Sequence, residues 1–293
     1  MPDEKNNFAY HEDCPVCASK NIKDKYKLKG YIISECLNCS AVFVKEILTD
    51  DFLKSVYQKS EGDFVYEDNN QKFLNYYYNK IKTEIEKIKP AKGTILDIGC
   101  SAGFFLNIME GWERHGTEIA DKFGLMAKEK IGDNIYIGSF EDYPVKENYF
   151  DVITLQDVLD HFINPAENLK KCYKMLKPGG LLVIKVHNIS CLYAKIKGAN
   201  FYAIIPPVHL FYFNEKSLKY ILNRVGLKFL KSKFIGHILQ LKTIFYRLSG
   251  DGENKFYFRL SKLLENSILG KIIFYKNFRD IITVFATKPN KSE

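Results

Sequence analysis

Residues 95–104 read Ile95-Leu96-Asp97-Ile98-Gly99-Cys100-Ser101-Ala102-Gly103-Phe104, and this stretch decides the fold class. A short apolar run ends next to an acidic side chain and passes through a Gly-x-x-x-Gly turn into a helix-like sequence. The two glycines permit a tight turn in which the backbone can approach a ligand closely. A dinucleotide loop has a glycine where this turn has serine, and no Gly-Lys-Ser/Thr follows as in a phosphate-binding loop. The stretch therefore predicts a strand, a loop for a nucleoside ligand without a pyrophosphate, and a helix.

Strand-like and helix-like segments alternate from residue 94 onward. Some strands, such as 181–184, are continuous apolar runs, which are typical of a parallel sheet covered on both faces. The alternation predicts an α/β fold with a Rossmann-like, doubly wound, mostly parallel sheet of seven strands. The predicted strands are 94–98, 116–119, 134–137, 150–155, 181–186, 227–235 and 280–286, and the main predicted helices are 104–110, 122–130, 165–176 and 215–225.

Polar residues follow the next predicted strands at the edge where the glycine turn lies. Glu118 comes 21 positions after Asp97, at the end of the second strand, where an acid can accept hydrogen bonds from both hydroxyls of a ribose. The stretch 138–142 follows the third strand, and its backbone amides and acidic side chain can read an adenine edge. These positions predict a nucleoside site, although any single glutamate is also compatible with a solvated surface charge.

Four motifs in this order resemble the class I S-adenosylmethionine-dependent methyltransferase family. They are LDIGCSAGFF at 96–105, HGTEI at 115–119, FDVITLQDVLDHFINP at 150–165 and LKPGGLLVIKV at 176–186. The resemblance covers about residues 93–226 and a final strand near 280–288, and it implies S-adenosylmethionine as the cofactor.

The resemblance assigns roles to individual residues of the cofactor site. The resemblance implies that the methionine part of the cofactor is contacted by Asp97, Gly99, Cys100, Ser101 and Gly103. Glu118 would bind the ribose, and Gln156 would lie beside the amino end of the cofactor. The adenine would be contacted by Ser139, Phe140 and Glu141. Many members of the family have aspartate where this chain has Ser139. Adenine recognition is therefore expected to rest on backbone groups or on Glu141.

Three histidines are expected near the carboxyl ends of strands, where a methyl acceptor would lie. They are His161 after the fourth strand, His187 at the end of the fifth, and His209 in the segment Pro-Pro-Val-His-Leu-Phe-Tyr-Phe. That segment resembles a loop of methyltransferases that act on sugars and other small metabolites. We expect His209 to act as a general base or to orient the acceptor, with Tyr212 beside it and His161 as the second candidate. The alternative is a structural histidine that bonds to the loop backbone.

Two Cys-x-x-Cys pairs, Cys14/Cys17 and Cys36/Cys39, are separated by 18 residues. This spacing predicts a zinc ribbon with four thiolates around a structural Zn²⁺. So short a module has too small a core to fold readily without metal. The ribbon-plus-methyltransferase layout is similar to that of deoxysugar carbon methyltransferases. Docking of RNA and gating of substrate are the functional alternatives to a metal-stapled appendage.

Composition and charge limit the remaining possibilities. No run of about 18 apolar residues occurs, so no membrane span is expected. The polar start of the chain lacks the order of a signal peptide, and we expect a cytoplasmic protein. The net charge is +8, but the lysines are dispersed rather than clustered into a nucleic-acid-binding face.

The expected organisation is a zinc-ribbon module at 1–49, a helical linker or lid at 50–90 and a methyltransferase domain at 91–293. Residues 236–279 interrupt the strand–helix alternation and resemble two amphipathic helices broken at 249–252. A packed helical insert, a substrate cap, a dimer contact and a membrane-surface contact are all compatible with that pattern.

The sequence favours methyl transfer to a small polar acceptor, such as a sugar, a nucleotide-linked sugar or a glycan, on oxygen or carbon. An RNA methyltransferase is the alternative suggested by the ribbon and the positive charge. A non-catalytic cofactor-binding protein of the same fold is a third possibility, because a fold does not by itself imply activity.

Overall fold

The computed structural model describes residues 9–49, 52–53, 71–249, 254–265 and 267–290. Within these ranges the strands form sheets of seven, four and two strands. The strands are β1 Ile22–Leu28, β2 Tyr31–Cys36, β3 Val42–Val44, β4 Thr94–Ile98, β5 Glu113–Glu118, β6 Ile135–Ile137, β7 Phe150–Gln156, β8 Leu176–His187, β9 Phe211–Tyr212, β10 Lys228–Lys233, β11 His237–Gln240, β12 Ile273–Lys276 and β13 Ile281–Thr287. The α-helices are α1 Gln71–Ile88, α2 Phe104–Ile108, α3 Asp121–Ile131, α4 Pro165–Met175, α5 Leu192–Lys197, α6 Glu215–Arg224, α7 Leu241–Leu248 and α8 Lys255–Glu265.

The central sheet has the strand order β10-β13-β8-β7-β4-β5-β6. Strands β4 to β8 pair in parallel, and β13 runs antiparallel to both of its neighbours. All seven predicted strands are present, so the predicted doubly wound, mostly parallel sheet is confirmed.

The largest boundary difference lies in β8, which begins at Leu176 rather than at residue 181. Leu176 pairs with Phe150 of β7, and a register shift separates this pair from the regular ladder. The intervening Lys-Pro-Gly-Gly sequence precedes the strand predicted at 181–186, and it contains Gly179 at φ 70°, a conformation typical of turns. Strand pairing at its two ends outweighs that local preference.

Alternate residues of the central strands supply two separate apolar cores, one on each face of the sheet. Ile95 of β4 packs with the buried side of α1, where Ile81 and Ile85 are fully buried. Leu96, the next residue, belongs to the opposite core with Leu169 of α4. This alternation follows from the period of two in a strand and explains why the central strands are apolar throughout.

The helix predicted before Pro90 is confirmed as α1, and residues 54–70 of the expected linker or lid lie outside the described residues. Tyr77 of α1 is buried, and its hydroxyl lies 2.5 Å from Thr283 Oγ1 on β13. This contact ties α1 to the sheet.

The cysteine-containing module forms a four-stranded sheet of order β1-β2-β3-β9. Its last strand comes from the methyltransferase part of the chain, because Val42 pairs with Tyr212 and Phe43 with Phe211. The module is therefore connected through main-chain hydrogen bonds to the segment that contains His209.

Residues 236–279, called the insert below, differ from the expected pair of helices. Both helices are present as α7 and α8, but β11 and β12 form an antiparallel ribbon at the ends of the insert. The two predicted helices are confirmed, and the ribbon, in which Ile238 and Leu239 pair with Tyr275 and Phe274, is an additional element. Residues 250–252 of the predicted break lie outside the described residues. Over the described ranges, no helix has the length and apolar character to cross a bilayer.

Candidate cofactor and acceptor site

The carboxyl ends of β4 and β7 lie side by side where the strand order changes direction. Such a switch point leaves a crevice in which open α/β sheets bind ligands. Asp97 of β4 and Thr154 of β7 meet there, and Thr154 Oγ1 donates a hydrogen bond to Asp97 Oδ1 over 2.5 Å. The residues predicted for the cofactor follow the strand ends that surround this point.

Asp97 is buried, and burial raises the pKa of its carboxyl to about 7, with a further contribution from the charge of Glu118. The hydrogen bond from Thr154 opposes this effect. Gln156, two residues further along β7, has a buried side-chain oxygen and nitrogen without a hydrogen-bond partner among the described residues. Buried polar atoms normally have partners, so this crevice fits a ligand with polar and cationic groups.

The glycines of the turn have a packing role, and their contact with a ligand stays a prediction. Gly99 and Gly103 have φ of 66° and 74°, which favours glycine at both positions. A Cβ on Gly99 would lie 2.5 Å from Val158 Cγ2, and one on Gly103 would lie 3.3 Å from the backbone of Ala127 in α3. The missing side chains therefore make room for the protein's own packing.

Glu118 ends β5 and holds the glycine turn through its carboxylate. Its Oε2 accepts a hydrogen bond of 2.8 Å from the Ser101 amide, and its Oε1 accepts one of 2.9 Å from the Ala120 amide. Burial raises the pKa of this carboxyl. Each oxygen keeps a second lone pair, so the arrangement is compatible with two ribose hydroxyls as additional donors. Cys100 lies within the same turn, and its thiol is buried.

The loop after β6 brings Ser139 and Glu141 together, with the serine hydroxyl donating to Glu141 Oε2. Glu141 Oε1 also accepts a hydrogen bond of 2.7 Å from Asn168 of α4. Phe140 is buried and stacks on Phe162 at a centroid distance of 6.1 Å. The side chain of Glu141 thus stabilises the loop, and adenine recognition by these three residues stays a prediction.

The three histidines predicted near strand ends converge on one carboxylate, that of Asp160. His161 Nε2 lies 4.0 Å from Asp160 Oδ1, and His187 Nδ1 and His209 Nε2 lie 3.9 Å and 4.0 Å from Oδ2. The His209 ring lies 4.8 Å from that of His161 and 5.4 Å from that of His187, between centroids. This group, called the histidine cluster below, lies after β7 and β8 at the same edge as the cofactor crevice.

Asp160 is the residue of this cluster that the sequence analysis missed. It is 2% exposed, and its Oδ1 has no hydrogen-bond partner among the described residues. Burial raises the pKa of Asp160, but the three histidines outweigh burial and hold it below the usual range. Its position directly before His161 was a usable signal, because an acid at a strand end next to a histidine is suited to orient that ring.

His209 is held in a defined tautomer by the protein backbone. Its Nδ1 lies 2.8 Å from the carbonyl oxygen of Ala203, so Nδ1 carries the proton and donates, and Nε2 keeps the lone pair. Burial lowers the pKa of His209 to about 4, although the charge of Asp160 acts in the opposite direction. The ring is therefore neutral near pH 7, with its basic nitrogen directed toward the cluster.

Tyr212, the predicted neighbour of His209, is buried in β9. Its hydroxyl donates a hydrogen bond of 2.9 Å to the backbone oxygen of His209, and burial raises its pKa. The observed contact fixes the loop, and a direct catalytic role for the hydroxyl stays a prediction.

The four predicted metal ligands, Cys14, Cys17, Cys36 and Cys39, come together in the cysteine-containing module. The Sγ atoms of Cys14 and Cys39 lie 3.6 Å apart and those of Cys17 and Cys36 lie 3.5 Å apart, and all four lie within 4.8 Å of one another. These distances exclude disulfides and approach the ~3.8 Å edge of a tetrahedron with Zn–S bonds of about 2.3 Å. Each pair lies in a tight turn that ends in a residue with positive φ, at Ala18 and Ser40. The donor set thus fits a zinc ion.

The fold and the crevice are those of a methyl-transferring enzyme class, and comparison with known proteins agrees. A family model described as "Methyltransferase domain" matches residues 70–232, which is more than half of the chain. The chain belongs to this methyltransferase-domain family.

Similar proteins share part of this chain. Phosphoethanolamine N-methyltransferase from Plasmodium falciparum is 36% identical over 114 residues, covering 36% of this chain and 42% of the relative. Ubiquinone biosynthesis O-methyltransferase from Nitrosomonas europaea is 27% identical over 127 residues, covering 39% of this chain and 53% of the relative. The chain thus spans about half the length of these relatives.

Solved structures share the fold at low identity. A protein from Bacillus halodurans that is assigned as a methyltransferase superposes with a TM-score of 0.50 at 17% identity, covering 71% of this chain and 99% of that one. A chain from the complex of the Haloferax volcanii Trm112 methyltransferase activator with an assigned methyltransferase superposes with a TM-score of 0.52 at 13% identity. The match covers 83% of this chain and 100% of that one. These likenesses support the fold alone.

Proposed function

We propose that this protein transfers the methyl group of S-adenosylmethionine to a small polar acceptor. The observation that carries the proposal is the histidine cluster, which lies at the same sheet edge as the crevice between β4 and β7. A cofactor in the crevice and an acceptor at the cluster would lie next to each other. Alignment of a nucleophile with an activated methyl group can account for several kcal/mol of the barrier.

Several groups in the crevice suit the cofactor. Asp97 supplies a carboxyl beside the cationic methionine part, Gln156 supplies an unpaired amide, and Glu118 supplies acceptors for the ribose hydroxyls. The loop at 139–141 would border the adenine, with backbone groups as the readers because Glu141 already bonds to Asn168.

The acceptor is expected to carry a proton that must leave during transfer. His209 has a neutral ring, a fixed tautomer and a lone pair on Nε2 that can accept a proton, and the carboxylate of Asp160, 4.0 Å from Nε2, would stabilise the charge that forms. His161 contacts it through the ring edge and is the second candidate. Tyr212 would position the His209 backbone.

The acceptor class stays open within small polar molecules. The names of two relatives point to phosphoethanolamine and to ubiquinone precursors, whereas the loop around His209 resembles that of sugar methyltransferases. Within this class, we propose a sugar, a nucleotide-linked sugar or a glycan as the methyl acceptor. We further propose that a structural Zn²⁺ binds the four cysteines and stabilises the strand that carries the acceptor loop.

The test uses methyl-labelled S-adenosylmethionine, purified protein and cell extract separated into RNA, protein, polysaccharide and small-molecule fractions. We expect label in the small-molecule or polysaccharide fraction. We expect His209→Gln to bind cofactor normally but to transfer label about 10²–10⁴-fold more slowly, because a neutral amide cannot accept the proton. His115→Gln, a buried histidine outside the cluster, is the matched control.

Label in RNA would contradict the small-acceptor proposal. Unchanged turnover in His209→Gln would contradict the base assignment and leave His209 as a structural residue.

A further inference from the structure

Exposed apolar side chains are concentrated in the insert relative to its length. Of 23 exposed large apolar side chains among the described residues, 11 lie within residues 236–279. The most exposed are Ile268 at 87%, Leu263 at 76% and Phe256 at 70%. Contiguous apolar surface of this kind marks a contact site in a folded protein.

The secondary structure of the insert cannot bury this surface by itself. Phe256 and Leu263 are seven residues apart on α8 and therefore lie on one helix face. In β12, the consecutive residues Ile273, Phe274 and Tyr275 are all more than 40% exposed, so both faces of the two-stranded ribbon are open. A two-stranded ribbon needs a further layer to cover its faces.

The same insert carries a large share of the net positive charge of the chain. Residues 236–279 contain eight Lys or Arg and three Asp or Glu, a formal charge of +5 out of +8 for the whole protein. Exposed basic residues such as Lys255, Arg259 and Lys271 lie among the apolar ones. This combination is that of an interfacial membrane-binding segment, in which apolar side chains enter the lipid and basic side chains remain at the headgroups.

The apolar surface continues onto α5, which follows the end of β8. Leu192 and Ile196 on one face of α5 are 72% and 73% exposed. The neighbouring Tyr193 contacts Phe278 of the insert at a centroid distance of 5.3 Å, and Lys276 lies over the Tyr193 ring. The surface thus extends toward the sheet edge where β8 ends in His187 of the histidine cluster.

We propose that the insert, together with α5, docks the protein on the surface of an anionic lipid bilayer. Self-association through this face is disfavoured, because it would bring two charges of +5 together. An RNA partner is disfavoured because nucleic-acid interfaces are polar and wet and would leave the apolar side chains exposed. Docking does not depend on the proposed methyl transfer.

The test measures flotation of the full-length protein with vesicles of phosphatidylcholine alone and with about a third phosphatidylglycerol. We expect binding to the anionic vesicles that weakens with salt and little binding to the neutral ones. Phe256→Ser with Leu263→Ser, and separately Lys255→Glu with Lys271→Glu, should each reduce the partition coefficient about tenfold or more.

The matched controls carry the same changes elsewhere on the surface, as Leu125→Ser with Val145→Ser and Lys20→Glu with Lys174→Glu. They should bind vesicles like the original protein, and thermal unfolding of every variant shows whether it folds. Absence of binding by the folded protein to either vesicle would overturn the proposal. Equal loss in the controls, or binding of RNA or a second copy in place of vesicles through the same residues, would also overturn it.

Discussion

At the scale of single residues, the buried carboxyl of Asp97 has a consequence for cofactor binding. The free protein has a pKa of about 7 at this position. S-adenosylmethionine carries a sulfonium and an ammonium, and a cation beside Asp97 favours the ionised carboxylate. Below pH 7, binding must therefore release a proton, so the affinity should increase as the pH rises toward 7 and then level off.

Asp97→Asn should bind more weakly at pH 7.5, by about tenfold or more, because it removes the charge that the cofactor meets. Titration calorimetry between about pH 5.5 and 7.5 should give a much shallower dependence for this variant than for the original protein. Glu118 also has a raised pKa and faces the same turn. An unchanged pH dependence in Asp97→Asn would assign the effect to Glu118 and contradict this account.

Some residues of the candidate site could be predicted from the sequence, and others could not. The histidines were found because residues at the ends of parallel strands share one edge. Asp160 was missed because its neighbours at His187 and His209 are distant in sequence. The packing role of Gly103 was not predictable, because only the structure shows that α3 lies against it.

At the scale of elements, the pairing of β3 with β9 couples the cysteine site to the acceptor loop. Val44 donates a main-chain hydrogen bond to Leu210, and Leu210 donates one to Asp160, each within 3 Å. Removal of zinc should loosen β3 and, through β9, the loop that holds His209. We therefore expect a functional coupling between the cysteine site and the proposed acceptor site.

We expect about one zinc per chain by elemental analysis. A chelator, or Cys17→Ser, should lower the unfolding temperature by several degrees and increase amide exchange in β9. Cys191→Ser is the control, because its thiol lies outside the site and accepts a hydrogen bond that serine can also accept. Metal-free protein with the same stability and exchange would contradict this prediction.

The elements themselves were largely predictable. Strands β4, β7 and β13 contain apolar runs, and α6 begins after Asn214 with a capping box. The β11–β12 ribbon was not predictable, because its pairing joins residues that are more than 30 positions apart. Nor does a short run such as Phe211–Tyr212 indicate that it pairs with β3 rather than with the central sheet.

At the scale of the whole molecule, the features are arranged around one edge of the central sheet. The cofactor crevice, the histidine cluster and the apolar surface of α5 and the insert follow one another along it. The cysteine module supports this edge from β9.

The central claim is that S-adenosylmethionine binds in the crevice between β4 and β7. Hydrogen–deuterium exchange, measured by mass spectrometry with and without the cofactor, tests this location directly. We expect protection on binding to be concentrated in peptides that cover 97–104, 117–121 and 138–142. Absence of protection there, or protection confined to other parts of the chain, would contradict it.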